Sequence, residues 1–171
     1  NLTISGIGGK HMQEAGVNLV CDLASHGVTG ITEVIRHFRI LKNAMLQIRD
    51  HLKKTKPDLL ILVDCPGFNL RLAQFAKQSL GLRIIYYISP QIWAWKPKRL
   101  QTIRDNVDHM AVILPFEKKI YEEGQVPVSF VGHTLIDSIP AVPASTNYRE
   151  QLGLPAHEKI IALLPGSRGN E

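Results

Sequence analysis

Leu59-Leu60-Ile61-Leu62-Val63-Asp64-Cys65-Pro66-Gly67 is the stretch that decides the fold. Five consecutive apolar residues with no polar alternation are the pattern of a strand buried on both faces, as in a parallel sheet. Asp64 to Gly67 turn the chain. Asn69 to Leu80 then reads as a helix, with Asn69 as its N-terminal cap and Gly81 as its stop. The alternation spreads outward from there. Toward the C-terminus come a strand over Arg83–Ile88, a loop over Ser89–Lys98 and a helix over Arg99–Asn106. They are followed by a strand over His109–Leu114, a helix over Phe116–Glu123 and a strand over Val128–Val131. Toward the N-terminus, Thr32–Lys54 is a long helix. Its residues Val34, Ile35, Phe38, Leu41, Met45, Ile48 and Leu52 recur at three- and four-residue steps and form one stripe for burial. Lys53, Lys54 and Lys56 suit its C-terminal dipole, and Pro57 stops it. Leu2–Ser5 reads as a short strand before a glycine turn. Repeated βα units of this size predict an α/β fold: a Rossmann-like parallel sheet with helices on both faces.

Ile139–Thr146 (IPAVPAST) holds two prolines among small residues and reads as a linker. Beyond it, Tyr148–Leu152 resembles a short helix. Lys159–Leu164 reads as a fresh buried strand leading into Pro165-Gly166-Ser167-Arg168. The expected organisation is a first domain over 1–139, a linker over 140–146 and the opening βα unit of a second domain over 147–171. The second domain is expected to continue beyond position 171.

The composition is that of an ordinary globular chain: 171 residues, 44% hydrophobic and 20% charged. No run of about 18 apolar residues is present, so no membrane-spanning helix is expected. A net charge of +5 suits an anionic partner such as a nucleotide phosphate or a phospholipid headgroup, and equally a plain solvated surface. Cys21 and Cys65 lie in apolar surroundings and are expected as buried free thiols. No Cys/His cluster has metal-ligand spacing.

Ligands of open parallel sheets bind beyond the carboxyl ends of the strands, so the polar residues just after each strand are the candidates. Gly6, Gly8 and Gly9 do not complete a dinucleotide fingerprint. They make either a tight turn or bare backbone, at Gly8 and Gly9, for a sugar or phosphate. Asp64 is either a general base toward a sugar hydroxyl or a turn former. Asn69 is a cap or a ligand contact. Ser89 opens a loop in which Trp93 and Trp95 stand one residue apart beside Lys96, Lys98 and Arg99. That loop suits an acceptor platform for acyl chains and phosphate, a plug for the core, or base stacking. Glu117 follows the fourth strand. His133 is a phosphate donor, a base or a cap, and Asp137 follows it by one helical turn. Ser167 and Arg168 suit phosphate at a helix start.

Taken together and in order, GIGGKHM (6–12), ILVDCPGFNLRLA (61–73), YYISPQIWAWKPKRL (86–100), ILPFEKKIYEE (113–123), FVGHTLIDSIP (130–140) and IALLPGSRGNE (161–171) cover nearly the whole chain. The chain resembles the lipid-A-disaccharide synthases, inverting glycosyltransferases of the GT-B architecture. The resemblance implies two Rossmann-like domains across a cleft, with an acceptor-side first domain whose first strand and loop precede position 1. It implies transfer of 2,3-diacylglucosamine from UDP-2,3-diacylglucosamine to 2,3-diacylglucosamine 1-phosphate, without metal or other cofactor. The implied place is the cytoplasmic face of the inner membrane, as a peripheral protein, with no nucleic-acid partner. Asp64 becomes the candidate base. Gly8, Gly9, Asn69, Ser89, Trp93, Trp95, Arg99, Glu117, His133 and Asp137 become acceptor-side candidates, and Ser167 and Arg168 lie on the UDP side. The family's second acid in the Asp64 loop is replaced here by Gly67. The alternatives are another GT-B enzyme, such as a UDP-N-acetylglucosamine 2-epimerase, or a non-catalytic membrane-surface binding domain.

Overall fold

The computed structural model describes residues 2–23, 31–92, 98–140, 147–155 and 157–164, with the backbone alone at 31–38 and 98. The chain divides into two compact units, Asn1–Ile136 and Asp137–Glu171. In the first unit the order is β1 (Ser5–Gly8), α1 (Lys10–Glu14), β2 (Asn18–Asp22), α2 (Ile31–Thr55), β3 (Leu60–Val63) and α3 (Pro66–Leu80). It continues with β4 (Ile84–Tyr87), α4 (Lys98–Asn106), β5 (His109–Val112), α5 (Pro115–Glu123) and β6 (Val128–Phe130). Helix α6 (Thr134–Ser138) holds the boundary between units, and the second unit contains α7 (Tyr148–Gln151).

All strand pairs are parallel, as the unbroken apolar runs predict. They form two sheets, β1-β2 and β3-β4-β5-β6. In the larger sheet, Leu62 pairs with Tyr86, Tyr86 with Met110, and Met110 with Val128. Because side chains alternate across a strand, this row lies on one face. Tyr86 and Met110 are fully buried there, with Ile84 and Val112. Leu70, Leu72, Ala73 and Ala76 of α3 and Ile103 of α4 join them in the core cluster.

Several expectations change. β3 is buried on one face only: Leu62 is 3% exposed, whereas Ile61 and Val63 are 58% and 50% exposed. Ile61 and Val63 lie on the face opposite Leu62, so a run that looks two-sided in sequence packs on one side here. The first strand lies at Ser5–Gly8 rather than Leu2–Ser5, so Gly6 and Gly8 are strand residues and not a turn. β1 pairs through its glycine backbone with β2, which, like α1, the sequence reading missed. Cys65 is exposed and Cys21 partly so; both are free. In the second unit, Lys159–Leu164 forms no strand. Ile161, Leu163 and Leu164 are 95%, 86% and 88% exposed, because no ladder partner exists among the described residues of that unit.

Helix α2 keeps its expected stripe where side chains are described. Ala44, Ile48 and Leu52 are buried at four-residue spacing, Met45 packs beside them, and Leu41 is partly exposed. The Val34, Ile35 and Phe38 side chains lie outside the described residues. The Arg49 guanidinium lies 4.7 Å from the centre of the Phe75 ring, which joins α2 to α3 by a cation–π contact. Asp108 ties α3 to the sheet: one oxygen accepts from Lys77 Nζ at 2.5 Å and the other from the Ile84 N–H at 2.7 Å. Partial burial opposes ionisation of Asp108, but the bonds from Lys77 and Ile84, with the charges of Lys77 and Arg83, outweigh it and lower its pKa.

A carboxyl lowered in the folded state stabilises above its unfolded pKa, and loses that effect as pH falls through the folded pKa. Asp108→Asn is expected to lower the unfolding free energy at pH 7 by a few tenths to about 1 kcal/mol, the range of an exposed pair. The gap should close on acidification below about pH 4. Urea unfolding of both forms at the two pH values measures it, and a gap independent of pH would contradict the assignment.

Candidate functional site

The strand register lines up the carboxyl ends of β3, β4 and β5, and a cavity of about 340 Å³ lies just beyond them. Asp64 and Pro66 enter it from the β3–α3 junction. Ile88, Ser89, Pro90 and Gln91 follow β4, Arg99 comes from α4, and Ile113, Leu114 and Glu117 surround the start of α5. Of the candidates read from sequence, Asp64, Ser89, Arg99 and Glu117 therefore share one cavity wall.

The β3–α3 junction is unusual. Asp64 and Cys65 both have left-handed backbone, with φ of 46° and 45°. This is disfavoured for residues that carry a Cβ. Ile88, across the cavity after β4, has φ 62°, a rarer state still for a β-branched residue. Asp64 and Ile88 both line the cavity, and strained residues brought together in this way must be over-determined by the surrounding structure. At Asp64 that support is visible. Its N–H continues the ladder to the Tyr87 carbonyl at 3.0 Å. Its carbonyl accepts from the Tyr86 hydroxyl at 2.6 Å and from Asn69 Nδ2 at 2.7 Å. Asn69 Nδ2 also donates to the Val63 carbonyl at 2.9 Å. The backbone is thus fixed by bonds from the sheet and from α3, and Asp64, an exposed residue, lines the cavity.

Asn69 is not the cap expected of it. Helix α3 starts three residues earlier than predicted, with Cys65 as N-cap and Pro66, suited by its fixed φ, at the first helical position. Asn69 thereby sits inside the first turn, buried, with its amide on the preceding loop. Ser89 is buried too: its hydroxyl donates to the Pro90 carbonyl at 2.9 Å and lies 2.8 Å from the Tyr121 hydroxyl. Burial raises the Tyr121 phenol pKa to about 12; the Ser89 bond opposes the rise and the nearby Glu117 charge adds to it. Glu117 is 2% exposed, and its carboxylate accepts from the Leu114 N–H at 3.1 Å, closing the start of α5.

The other candidates fall elsewhere. Gly8 is inside β1, and its carbonyl accepts from Leu23 N–H. Gly9 caps α1 through its carbonyl. His133 Nδ1 accepts from the Leu135 N–H at 3.1 Å, a capping bond that leaves the proton of a neutral ring on Nε2. Asp137 is exposed on α6. Trp93, Trp95, Ser167 and Arg168 lie outside the described residues. Sequence reasoning missed Tyr86, Tyr121 and Ile88. Only the Tyr86-Tyr87 pair within a buried strand carried a signal, since a buried phenol needs a partner.

The family model described as lipid-A-disaccharide synthetase matches residues 1–171. The chain belongs to the lipid-A-disaccharide synthetase family. It is 60% identical over 171 residues to lipid-A-disaccharide synthase 1 of Legionella pneumophila (strain Lens), covering 100% of this chain and 44% of that protein. It is 44% identical over 171 residues to the lipid-A-disaccharide synthase of Coxiella burnetii, covering 100% and 45%. Over 166 residues it is 48% identical to that of Trichlorobacter lovleyi, covering 97% and 43%. The chain thus spans less than half the length of these curated relatives.

Gly67, which stands where the family resemblance places a second acid, occupies the second position of α3, and a Cβ built there meets nothing within 4 Å. A carboxylate at that position would lie at the positive end of the helix dipole. Gly67→Asp is therefore expected to raise stability by about 1 kcal/mol, combining helix propensity and dipole. Thermal unfolding checks this; a lowered Tm would show that the turn rejects a side chain.

Proposed function

We propose that the protein carrying this chain is a glycosyltransferase of lipid A biosynthesis. It transfers 2,3-diacylglucosamine from UDP-2,3-diacylglucosamine to 2,3-diacylglucosamine 1-phosphate. Membership of the family supports this reading, and the observation that carries it is exposed Asp64, on a turn held by Tyr86 and Asn69, lining one cavity with Arg99. Asp64 is the carboxylate of this loop, since position 67 is glycine.

The chemistry is one displacement. The acceptor 6-hydroxyl oxygen attacks the anomeric carbon of the donor sugar, and its proton passes to Asp64. The bond from that carbon to the UDP oxygen breaks, and its electron pair leaves with UDP. Attack opposite the leaving group inverts the centre and gives the β-1,6 linkage. A positioned base contributes roughly 10²–10⁴ to such a step. In this reading Arg99 meets the acceptor phosphate, Trp93 and Trp95 meet acyl chains, and Ser167 and Arg168 hold the departing diphosphate. The basic charge of +5 suits work at the cytoplasmic face of an anionic inner membrane. Among the described residues no helix is long and apolar enough to cross one.

Activity is best tested in a chimera: the Legionella pneumophila synthase with its matching 171 residues replaced by this chain, to which they are 60% identical. Asp64→Asn should lower turnover of the chimera by about 10²–10⁴ with the fold intact. Near-normal turnover would remove Asp64 from the base role.

A further inference from the structure

Two buried polar side chains spend their donors on one backbone atom that belongs to neither a helix nor a strand. Tyr86 is 0% exposed and Asn69 9% exposed, and both bond the Asp64 carbonyl oxygen, at 2.6 Å and 2.7 Å. A carbonyl has two lone pairs, and both are used here. The two donors come from different elements, β4 and α3, so the peptide between Asp64 and Cys65 is held from two directions. That peptide joins two left-handed residues, whose backbone would otherwise relax toward ordinary φ. With the Asp64 N–H held by the Tyr87 carbonyl, relaxation of its left-handed φ would turn the carbonyl and the Cα–Cβ bond together about N–Cα, so holding the carbonyl oxygen also holds the direction of the side chain.

We infer that Tyr86 and Asn69 are positioning residues, which aim the Asp64 carboxylate by pinning its carbonyl oxygen. Neither touches substrate in this assignment. Tyr86 does not line the cavity and neither does Asn69. The Tyr86 phenol is also held far above its ordinary pKa, first by burial and then by the Asp64 charge, so it stays a donor at every pH at which the protein works. The role rests on the proposed reading of Asp64 as base.

A base displaced by about 1 Å costs on the order of 10²-fold in rate while leaving substrate contacts in place. In the chimera, Tyr86→Phe, which keeps the ring in the core, and Asn69→Ala should each lower kcat roughly ten- to a hundredfold, with KM nearly unchanged. Added to Asp64→Asn, Tyr86→Phe should lower turnover no further, because a residue acting only through Asp64 has nothing left to position. A second readout needs no substrate. Asp64-Cys65 is the one Asp-Cys step in the chain, so ¹³C-carbonyl aspartate with ¹⁵N cysteine marks this peptide. Its carbonyl resonance should move in Tyr86→Phe and in Asn69→Ala. Unchanged kcat in both variants, beside an inactive Asp64→Asn, would overturn the positioning roles alone. So would an unmoved carbonyl resonance, or further loss in the double variant. Full turnover by Asp64→Asn would instead overturn the base assignment.

Discussion

The carbonyl oxygen of Asp64 is the point on which the site depends. It lies where β3 ends and α3 begins, and two buried donors hold it. Without them the chain has no evident reason to keep two side-chain-bearing residues in left-handed backbone, a conformation that costs roughly 1–2 kcal/mol at each. Each donor also removes a buried polar group that would be expensive to leave unsatisfied. The same two bonds therefore satisfy the core and fix the geometry of the rim. A polar pair in the interior and a strained turn at the edge are one arrangement.

The parallel register gives this arrangement its setting. Leu62, Tyr86 and Met110 pair across three strands, so the strands end level with one another. Residues that follow them are brought to one line without any contact in sequence. Asp64 after β3, Ile88 after β4 and Leu114 after β5 all reach the same cavity for this reason. The start of α5 closes the far wall, where Glu117 satisfies the Leu114 N–H. Tyr121, one turn further along α5, bonds Ser89 and holds the β4 loop against it.

Much of this was legible in the sequence, and the failures have physical causes. The runs Leu59–Val63 and Arg83–Ile88 mark parallel strands because unbroken apolar residues suit a sheet interior, although Ile61 and Val63 lie exposed. Gly81 marks the end of α3 and adopts the left-handed conformation that suits glycine. The start of that helix was misread, because Asn69 has the chemistry of a cap and yet serves the loop behind it. Cys65 looked buried from its apolar neighbours, whereas the left-handed turn leaves it exposed. β1 reads out of place because Gly6 and Gly8 are weak strand formers that resemble turn residues, and β2, five residues long, has only Leu19, Val20 and Cys21 as an apolar signal. Lys159–Leu164 carries a strand pattern, but pattern alone cannot supply a ladder partner. Of the site, Asp64, Ser89 and Glu117 followed from the rule that ligands meet strand carboxyl ends, and Arg99 from the basic residues beside the tryptophan loop. The roles of Tyr86 and Asn69 did not, since a hydroxyl from β4 and an amide from α3 meet on one carbonyl only in three dimensions.

The most direct measurement is a crystal structure of the chimeric synthase with 2,3-diacylglucosamine 1-phosphate bound. The account predicts the acceptor in the cavity beyond β3, β4 and β5, with its 6-hydroxyl within about 3.2 Å of the Asp64 carboxylate. The Asp64 carbonyl should still be bonded by Tyr86 and Asn69. An acceptor bound away from this cavity, or with its 6-hydroxyl turned from Asp64 toward another base, would contradict it.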